Sequence, residues 1–273
     1  GSLAIIRAVY PEGEGRGRAV GQWSGWTGIA TVVGPILGGW LIDEFSWRYV
    51  FFINLPLIII TIWLIFWKVP ESRGGQETKR PDWYGAVAAV LGLGGLTFGL
   101  IEGTVIGWDN PMVIAALSMG IISMIIFIFI EKLVENPMMP LGLFQSQNFS
   151  TVNFTTLGVY FALYGMTFYL NIFLQNVIGF SALTAGIVTA PILLIMLVLS
   201  PIFGNLSGKK GARLFLGSGP FIISAGLIFF SRLTPASSIW PGIIPPVLIF
   251  GLGLSVTVAP LTNTVISSVP AKR

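Results

Sequence analysis

Cysteine and histidine are both absent from this 273-residue chain, and charged residues make up only 10% of it. With neither side chain available there is no disulfide, no thiol nucleophile, no imidazole base and none of the usual zinc ligand sets. No metal site and no cofactor site is expected. The shortage of charge excludes more. A soluble domain needs about a quarter of its residues charged to coat its surface, and this chain has far fewer. What it has instead is 54% hydrophobic residues, with 34 glycines and 20 phenylalanines. Crossing the hydrocarbon of a bilayer takes roughly 20 apolar residues, so eight spans with short connections use the sequence up. The reading is an all-α, multi-pass membrane protein whose principal partner is the lipid bilayer, with no room for a separate soluble domain.

Eight apolar runs of spanning length follow one another: about 19–42, 49–67, 83–102, 111–130, 151–174, 183–203, 214–231 and 243–267. Each is bounded by charge, Pro, Asn or Gly. The basic residues then fix an orientation. With the first segment inside, the inner segments hold Arg7, Arg16, Arg18, Lys68, Arg73, Lys79, Arg80, Lys132, Lys209, Lys210, Arg213, Lys272 and Arg273; the outer ones hold Arg48 and Arg232. That asymmetry is the one cytoplasmic loops show, and it requires an even number of spans. Both ends are therefore expected in the cytoplasm, and the chain in the plasma (inner) membrane. The net charge of +4 is explained by these loops and calls for no nucleic acid. No obligate protein partner is evident.

Glycine and proline are concentrated inside the runs. The first contains Gly21, Gly25 and Gly28, then Gly34-Pro35-Ile36-Leu37-Gly38-Gly39; the third contains Gly95, Gly99 and Gly103. Residues four apart share a helix face, so such rows let two backbones approach. Pro35, Pro191, Pro201, Pro220 and Pro260 each remove a helix hydrogen bond. Two readings stay open: static packing, and a set of kinked helices that rock between two shapes.

Four ordered motifs carry a family resemblance. Gly34-Pro35-x-x-Gly38-Gly39 resembles the antiporter motif in the fifth helix of major facilitator superfamily drug exporters. The string Trp47-Arg48-Tyr49-Val50-Phe51-Phe52-Ile53-Asn54-Leu55-Pro56 is similar to the start of the sixth helix in the fourteen-helix drug:proton antiporter branch. Gly204-Asn205-Leu206-Ser207-Gly208-Lys209-Lys210-Gly211-Ala212-Arg213 resembles the second copy of the superfamily's cytoplasmic loop motif, with Gly208 where the family often has an acid. Gly251, Gly253, Pro260 and Val269-Pro270 resemble the twelfth helix and its inner end.

The resemblance implies a partial superfamily-type bundle of about eight helices. Residues 1–80 would hold the last two helices of the N-terminal half and an inner linker. Residues 81–135 would hold the pair inserted between halves, and 136–273 the first four helices of the C-terminal half. It implies a secondary active transporter that exports drugs or other amphipathic small molecules in exchange for protons by alternating access. A dedicated transporter of one metabolite or lipid-like compound, and a non-transporting membrane fragment or subunit, are the alternatives. An intramembrane enzyme is not expected, because the runs hold no catalytic constellation.

Candidate residues fall in three groups. Gly34, Pro35, Gly38 and Gly39 would shape a close helix contact, either for gating or for packing alone. Asn153, Tyr160, Tyr164, Thr167, Asn171 and Gln175 recur on one helical face. A polar face has no reason to look at lipid, so it reads as a substrate-cavity wall or as a helix–helix hydrogen-bonding seam. Gly204, Lys209, Lys210 and Arg213 form a loop motif that sets topology or latches a gate. Asn54 is expected to hydrogen-bond backbone freed near Pro56. Glu102 is the one acid read within or at the edge of a run, and it suits a solvated rim. Asp43, Glu44 and Asp109 read as outer-loop acids, and the proton carrier as lying in family helices outside this sequence. The topology has a direct check. A cysteine at Asn110 should react with an impermeant thiol reagent from outside and one at Gly75 only from inside; labelling of both from one side contradicts eight spans.

Overall fold

The computed structural model describes residues 33–68 and 82–267, with positions 19 and 29–30. The glycines at 21, 25 and 28, the linker between Lys68 and Asp82, and Val269-Pro270 lie outside the described residues. No strand occurs among the described residues. Helix α1 covers 33–44, and α2 is Tyr49–Phe52 continued after a turn at Ile53 by Asn54–Lys68. Then come α3, Trp83–Ile106, and α4, Pro111–Leu133. Helix α5, Gln147–Ile172, closes on a π-turn at Phe173–Val177. They are followed by α6, Ala182–Lys210, α7, Arg213–Phe230, and α8, Ile244–Ser267. Seven stretches of described helix, those of α2 to α8, are long and apolar enough to cross a membrane. The chain is an all-α membrane protein.

Most boundaries sit within a few residues of the apolar runs. Helix α6 is the exception: it runs on through Gly204 to Lys210, where a loop motif was expected. Gly204 and Gly208 stay helical, and the helix ends only at Gly211, whose φ of +86° favours glycine. Lys209 and Lys210 occupy the last turn, where positive charge suits the carbonyl end of the helix.

The contacts divide the chain into two compact units, 73–150 and 1–72 with 151–273. In the first, α3 and α4 form an antiparallel pair. Asp82 caps α3 by accepting the Gly85 N–H at 2.8 Å, and Asn110 caps α4 by accepting that of Met112 at 2.9 Å, with Pro111 in the first turn. The face α3 buries is Gly85, Ala88, Gly92, Gly95, Gly99 and Gly103. These side chains are missing for a reason. A Cβ on Gly95 would lie 2.7 Å from the Ala116 carbonyl oxygen and 2.9 Å from the Gly120 nitrogen. One on Gly120 would lie 2.6 Å from the Leu96 nitrogen. Helix surfaces gain no hydrophobic free energy by leaving lipid for each other, so backbone proximity and dispersion hold the pair.

In the second unit α8 is the most enclosed helix. Phe250 and Leu254 are fully buried at the centre of a cluster with Val159, Leu170 and Leu174 of α5, Val188 and Ile192 of α6, and Ile223 and Phe230 of α7. Glycines again set the approach. A Cβ on Gly253 would meet the Ile223 nitrogen at 2.6 Å, and one on Gly251 the Ile192 Cα at 3.1 Å. The buried hydroxyls of Thr189, Ser255 and Thr257 donate to carbonyls four residues back, at 2.9, 2.8 and 2.7 Å. Each thus satisfies itself within its own helix.

Overpacking a close approach typically costs about 1–3 kcal/mol. Gly95→Leu should therefore lower the melting temperature of the detergent-solubilised protein. Gly94→Leu should not, because nothing lies within 4 Å of its Cβ position. Equal effects would contradict the role given to the glycine face.

Candidate functional site

Helix α1 meets α6 through backbone, and a carboxylate closes the contact. A Cβ on Gly39 would lie 2.7 Å from both the Ala182 carbonyl oxygen and the Leu183 Cα. One on Gly186 would lie 2.6 Å from the Pro35 carbonyl oxygen. One turn beyond Gly39, Asp43 accepts the N–H groups of Ala182 at 3.0 Å and Leu183 at 2.8 Å. Ser181 takes the next one, from Thr184, at 3.2 Å. The first turn of α6 leaves these N–H groups without intrahelical partners. Asp43 supplies two of the missing acceptors from 139 and 140 residues away in sequence. The Leu183 N–H holds the Asp43 carboxyl below the usual carboxylate range; partial desolvation opposes this, and the Ser181 hydroxyl and Ala182 N–H add to it.

Of the four glycine-proline motif residues, Pro35 and Gly39 therefore make the contact. Gly34 and Gly38 have nothing within 4 Å of their Cβ positions. Asp43, read from sequence as a loop acid, sits in the last turn of α1 instead. The signal that would have found it is an acid four residues after Gly39, facing a Ser-x-x-Thr cap (Ser181, Thr184) in a remote helix.

The polar face of α5 is brought partly into one concavity. Tyr164, Thr167, Asn171 and Gln175 line a space of about 750 Å³ together with Phe168 and Asn176. Asn153 and Tyr160 do not line it, although the Tyr160 and Tyr164 rings stand 5.9 Å apart. Thr167 and Asn171 donate to the Leu163 and Thr167 carbonyls at 2.7 and 2.8 Å. Gln175 and Asn176 project from the π-turn, which is closed by the Ile178 N–H on the Phe173 carbonyl at 3.0 Å. A π-turn swings side chains off the regular helical face.

Gly204 is buried in α6, and its carbonyl accepts the Asn263 side-chain amide of α8 at 3.3 Å. Lys209, Lys210 and Arg213 are exposed. Lys210 and Arg213 line a groove of about 550 Å³ with Leu214, Gly217, Ser218 and Phe221. Asn54 donates to the carbonyls of Val50 and Phe51, at 3.1 and 3.3 Å, bracing the turn at Ile53.

Glu102 is half-buried near the end of α3. The acid that sequence reading missed is Glu131. The apolar run stops at Ile130, but the helix continues to Leu133 and carries Glu131 into its buried face, at 3% exposure.

The whole chain, residues 1–273, matches the sequence model described as Major Facilitator Superfamily. It is 32% identical over 274 residues to the multidrug resistance protein Stp of Mycobacterium tuberculosis, covering 100% of this chain and 50% of that protein. It is 33% identical over 275 residues to the multidrug export protein EmrB of Haemophilus influenzae, covering 100% of this chain and 53% of that one. The probable multidrug resistance protein EmrY of Escherichia coli is 32% identical over 272 residues, with 98% and 52% covered. The chain spans about half the length of the curated relatives it matches. A match along its entire length, over a fold of apolar helices joined at glycines, establishes that the chain belongs to the Major Facilitator Superfamily.

Proposed function

We propose that this chain is part of a proton-coupled exporter of drugs or other amphipathic small molecules, with α1 and α6 forming the seal that closes one face of its cavity. The observation that carries the reading is the α1–α6 contact. On the family's plan α1 belongs to the N-terminal half and α6 to the C-terminal half, with α3 and α4 inserted between them. A contact between α1 and α6 is then a contact between the two bodies that rock in alternating access. Among the described residues it includes two backbone approaches and one carboxylate. Such a surface separates and re-forms at low cost. The names of the relatives, which are resistance and export proteins, favour export of drug-like compounds. Amides and aromatic rings on α5 suit amphipathic ligands of varied shape.

In this reading both ends face the cytoplasm of the plasma membrane. The Asp43 end of α1 then lies outside, and Lys209, Lys210 and Arg213 lie inside. The charge of this inner end is explained by topology alone. A proton is the coupling ion, and family helices outside this sequence supply its carrier.

Dye transport into everted membrane vesicles tests the proposal, using the transporter that carries this chain. Gly39→Leu and Gly186→Leu each overpack the seal by about 1–3 kcal/mol. That is roughly 5- to 150-fold in the sealed population, and gradient-driven transport should fall accordingly with normal membrane insertion. Undiminished transport by both variants sinks the seal. Asp43 adds a pH signature. A carboxyl whose value is lowered in the closed contact stabilises it fully above the ordinary value of 3.8. The stabilisation is lost as pH falls through the lowered value. The labelling rate of a cysteine at Ile36, half-buried at the contact, divided by that of a fully exposed cysteine at the same pH to remove the thiol's own titration, should be flat between about pH 8 and 5 and rise only in stronger acid. With Asp43→Ala it should be raised throughout.

A further inference from the structure

Two hollows on α7 run into one another at Gly217. The groove at the start of α7 is lined by Lys210 and Arg213. A second hollow, of about 400 Å³, lies between α5 and α7, walled by Phe154, Gly158 and Ala162 on one side and by Leu216, Pro220 and Leu227 on the other. Gly217 lines both. Unlike the glycines that join helices, Gly158 and Gly217 have nothing within 4 Å of their Cβ positions. Here the missing side chains leave a channel open instead of admitting a neighbouring backbone.

The two ends of this channel differ in kind. Helices α6 and α7 are both of spanning length, so the turn between them lies where a bilayer places its headgroups. Lys209, Lys210 and Arg213 stand there, and from Asn136 to Arg273 the sequence holds no Asp or Glu to neutralise them. Asp43 caps the other end of α6, a helix of 29 residues. Lys210 suits its place in the last turn of α6, but Arg213 is the first residue of α7, at the end whose dipole is positive. Helix α7 has no acid in its first turn and no side-chain cap, so its leading N–H groups add to the demand for an anion. Topology accounts for the sign of these charges. It does not account for a groove lined by two of them, or for a cation set against a helix dipole. Beyond Gly217 the walls turn apolar. From Leu216 to Leu227 they extend about 16 Å along α7, close to half the hydrocarbon thickness, about 15 Å. Leu214 and Phe221, both exposed, line the approach.

We propose that the two hollows form a binding site for one anionic phospholipid. Its phosphate sits on Lys210 and Arg213, and one acyl chain passes Gly217 into the groove between α5 and α7. A free phosphate satisfies the cations and leaves the apolar hollow empty, and an uncharged chain does the reverse. A lipid with a negative headgroup satisfies both. The bound chain fills the gap between α5 and α7, and the headgroup supplies the acid that this part of the sequence lacks. The inference needs α6 and α7 to lie in a bilayer and does not rest on the transport reading.

Native mass spectrometry of the detergent-solubilised transporter that carries this chain tests it, by titration with phosphatidylglycerol and phosphatidylcholine of identical acyl chains. The first phosphatidylglycerol should bind more tightly than phosphatidylcholine. Lys210→Gln and Arg213→Gln should each weaken it about fivefold, the effect of one basic residue beside an anionic lipid. Lys209→Gln removes the same charge from a residue that does not line the groove, and should leave the affinity nearly unchanged. Gly217→Leu keeps every charge, has room at its Cβ, and should weaken binding by closing the junction. Equal affinity for the two lipids overturns the proposal. So does an equal loss in Lys209→Gln and Lys210→Gln, which means a diffuse basic surface. Displacement of the lipid by an equal concentration of glycerol phosphate overturns it in favour of a site for soluble anions. Undiminished phosphatidylglycerol binding by Gly217→Leu overturns it as well, because the groove between α5 and α7 then holds no acyl chain.

Discussion

Helices in hydrocarbon gain nothing hydrophobic by touching one another, so this protein joins them where side chains are missing. Every tight helix contact described above follows that rule. Gly95 and Gly120 bring α3 to α4, Gly226 and Gly253 bring α7 to α8, Gly251 brings α8 to α6, and Gly39 and Gly186 bring α1 to α6. A Cβ at any of them would stand within 3.1 Å of a backbone atom of the partner helix. The constraint accounts for the glycines at these positions, whereas others, such as Gly34, Gly38 and Gly94, meet nothing within 4 Å. It also explains why buried hydroxyls turn back onto their own helices: a close backbone seam leaves no room for long polar side chains to cross.

The contacts are not alike. The α3–α4 seam is long, five glycines and an alanine on one face. The α1–α6 contact ends in a charge-assisted cap, with Asp43 serving the first turn of a helix that belongs to a distant part of the sequence. A long seam suits a permanent pair. A contact closed by two hydrogen bonds to backbone N–H groups suits a surface that opens. Its cap is geometric as much as electrostatic: the bonds exist only when α1 reaches the start of α6.

How much of this was legible in the sequence depends on whether the signal was local. Apolar runs and their charge asymmetry located the helices, because spanning length is read along the chain. The third run's Gly95, Gly99 and Gly103 pointed to a close face, and the face proved to begin further back, at Gly85. The glycine-proline motif pointed to α1, but it could not say which of its glycines meets a neighbour. That depends on the rotation of α1 against α6, and Gly39 points inward while Gly34 and Gly38 do not. Asp43 was read as a loop acid, and Glu131 was missed, for related reasons. Each lies just past the end of an apolar run, and hydropathy marks the edge of the run while the backbone hydrogen bonds of the helix continue. What such an acid meets is decided by the neighbouring helix: Asp43 stays exposed yet caps the backbone of Ala182 and Leu183, and Glu131 is buried. The polar face of α5 was legible as a periodicity, but the π-turn that carries Gln175 and Asn176 was not.

The central claim is that α1 and α6 form a contact with two states. Spin labels at Val33 and Ile187, both exposed and flanking the contact at Pro35 and Gly186, report on it through their distance distribution. In the transporter reconstituted in lipid, the account predicts a short-distance population that exchanges with a longer one when substrate is added, and a shift toward the longer one in Asp43→Ala. A single distance, unchanged by substrate and by Asp43→Ala, would contradict it.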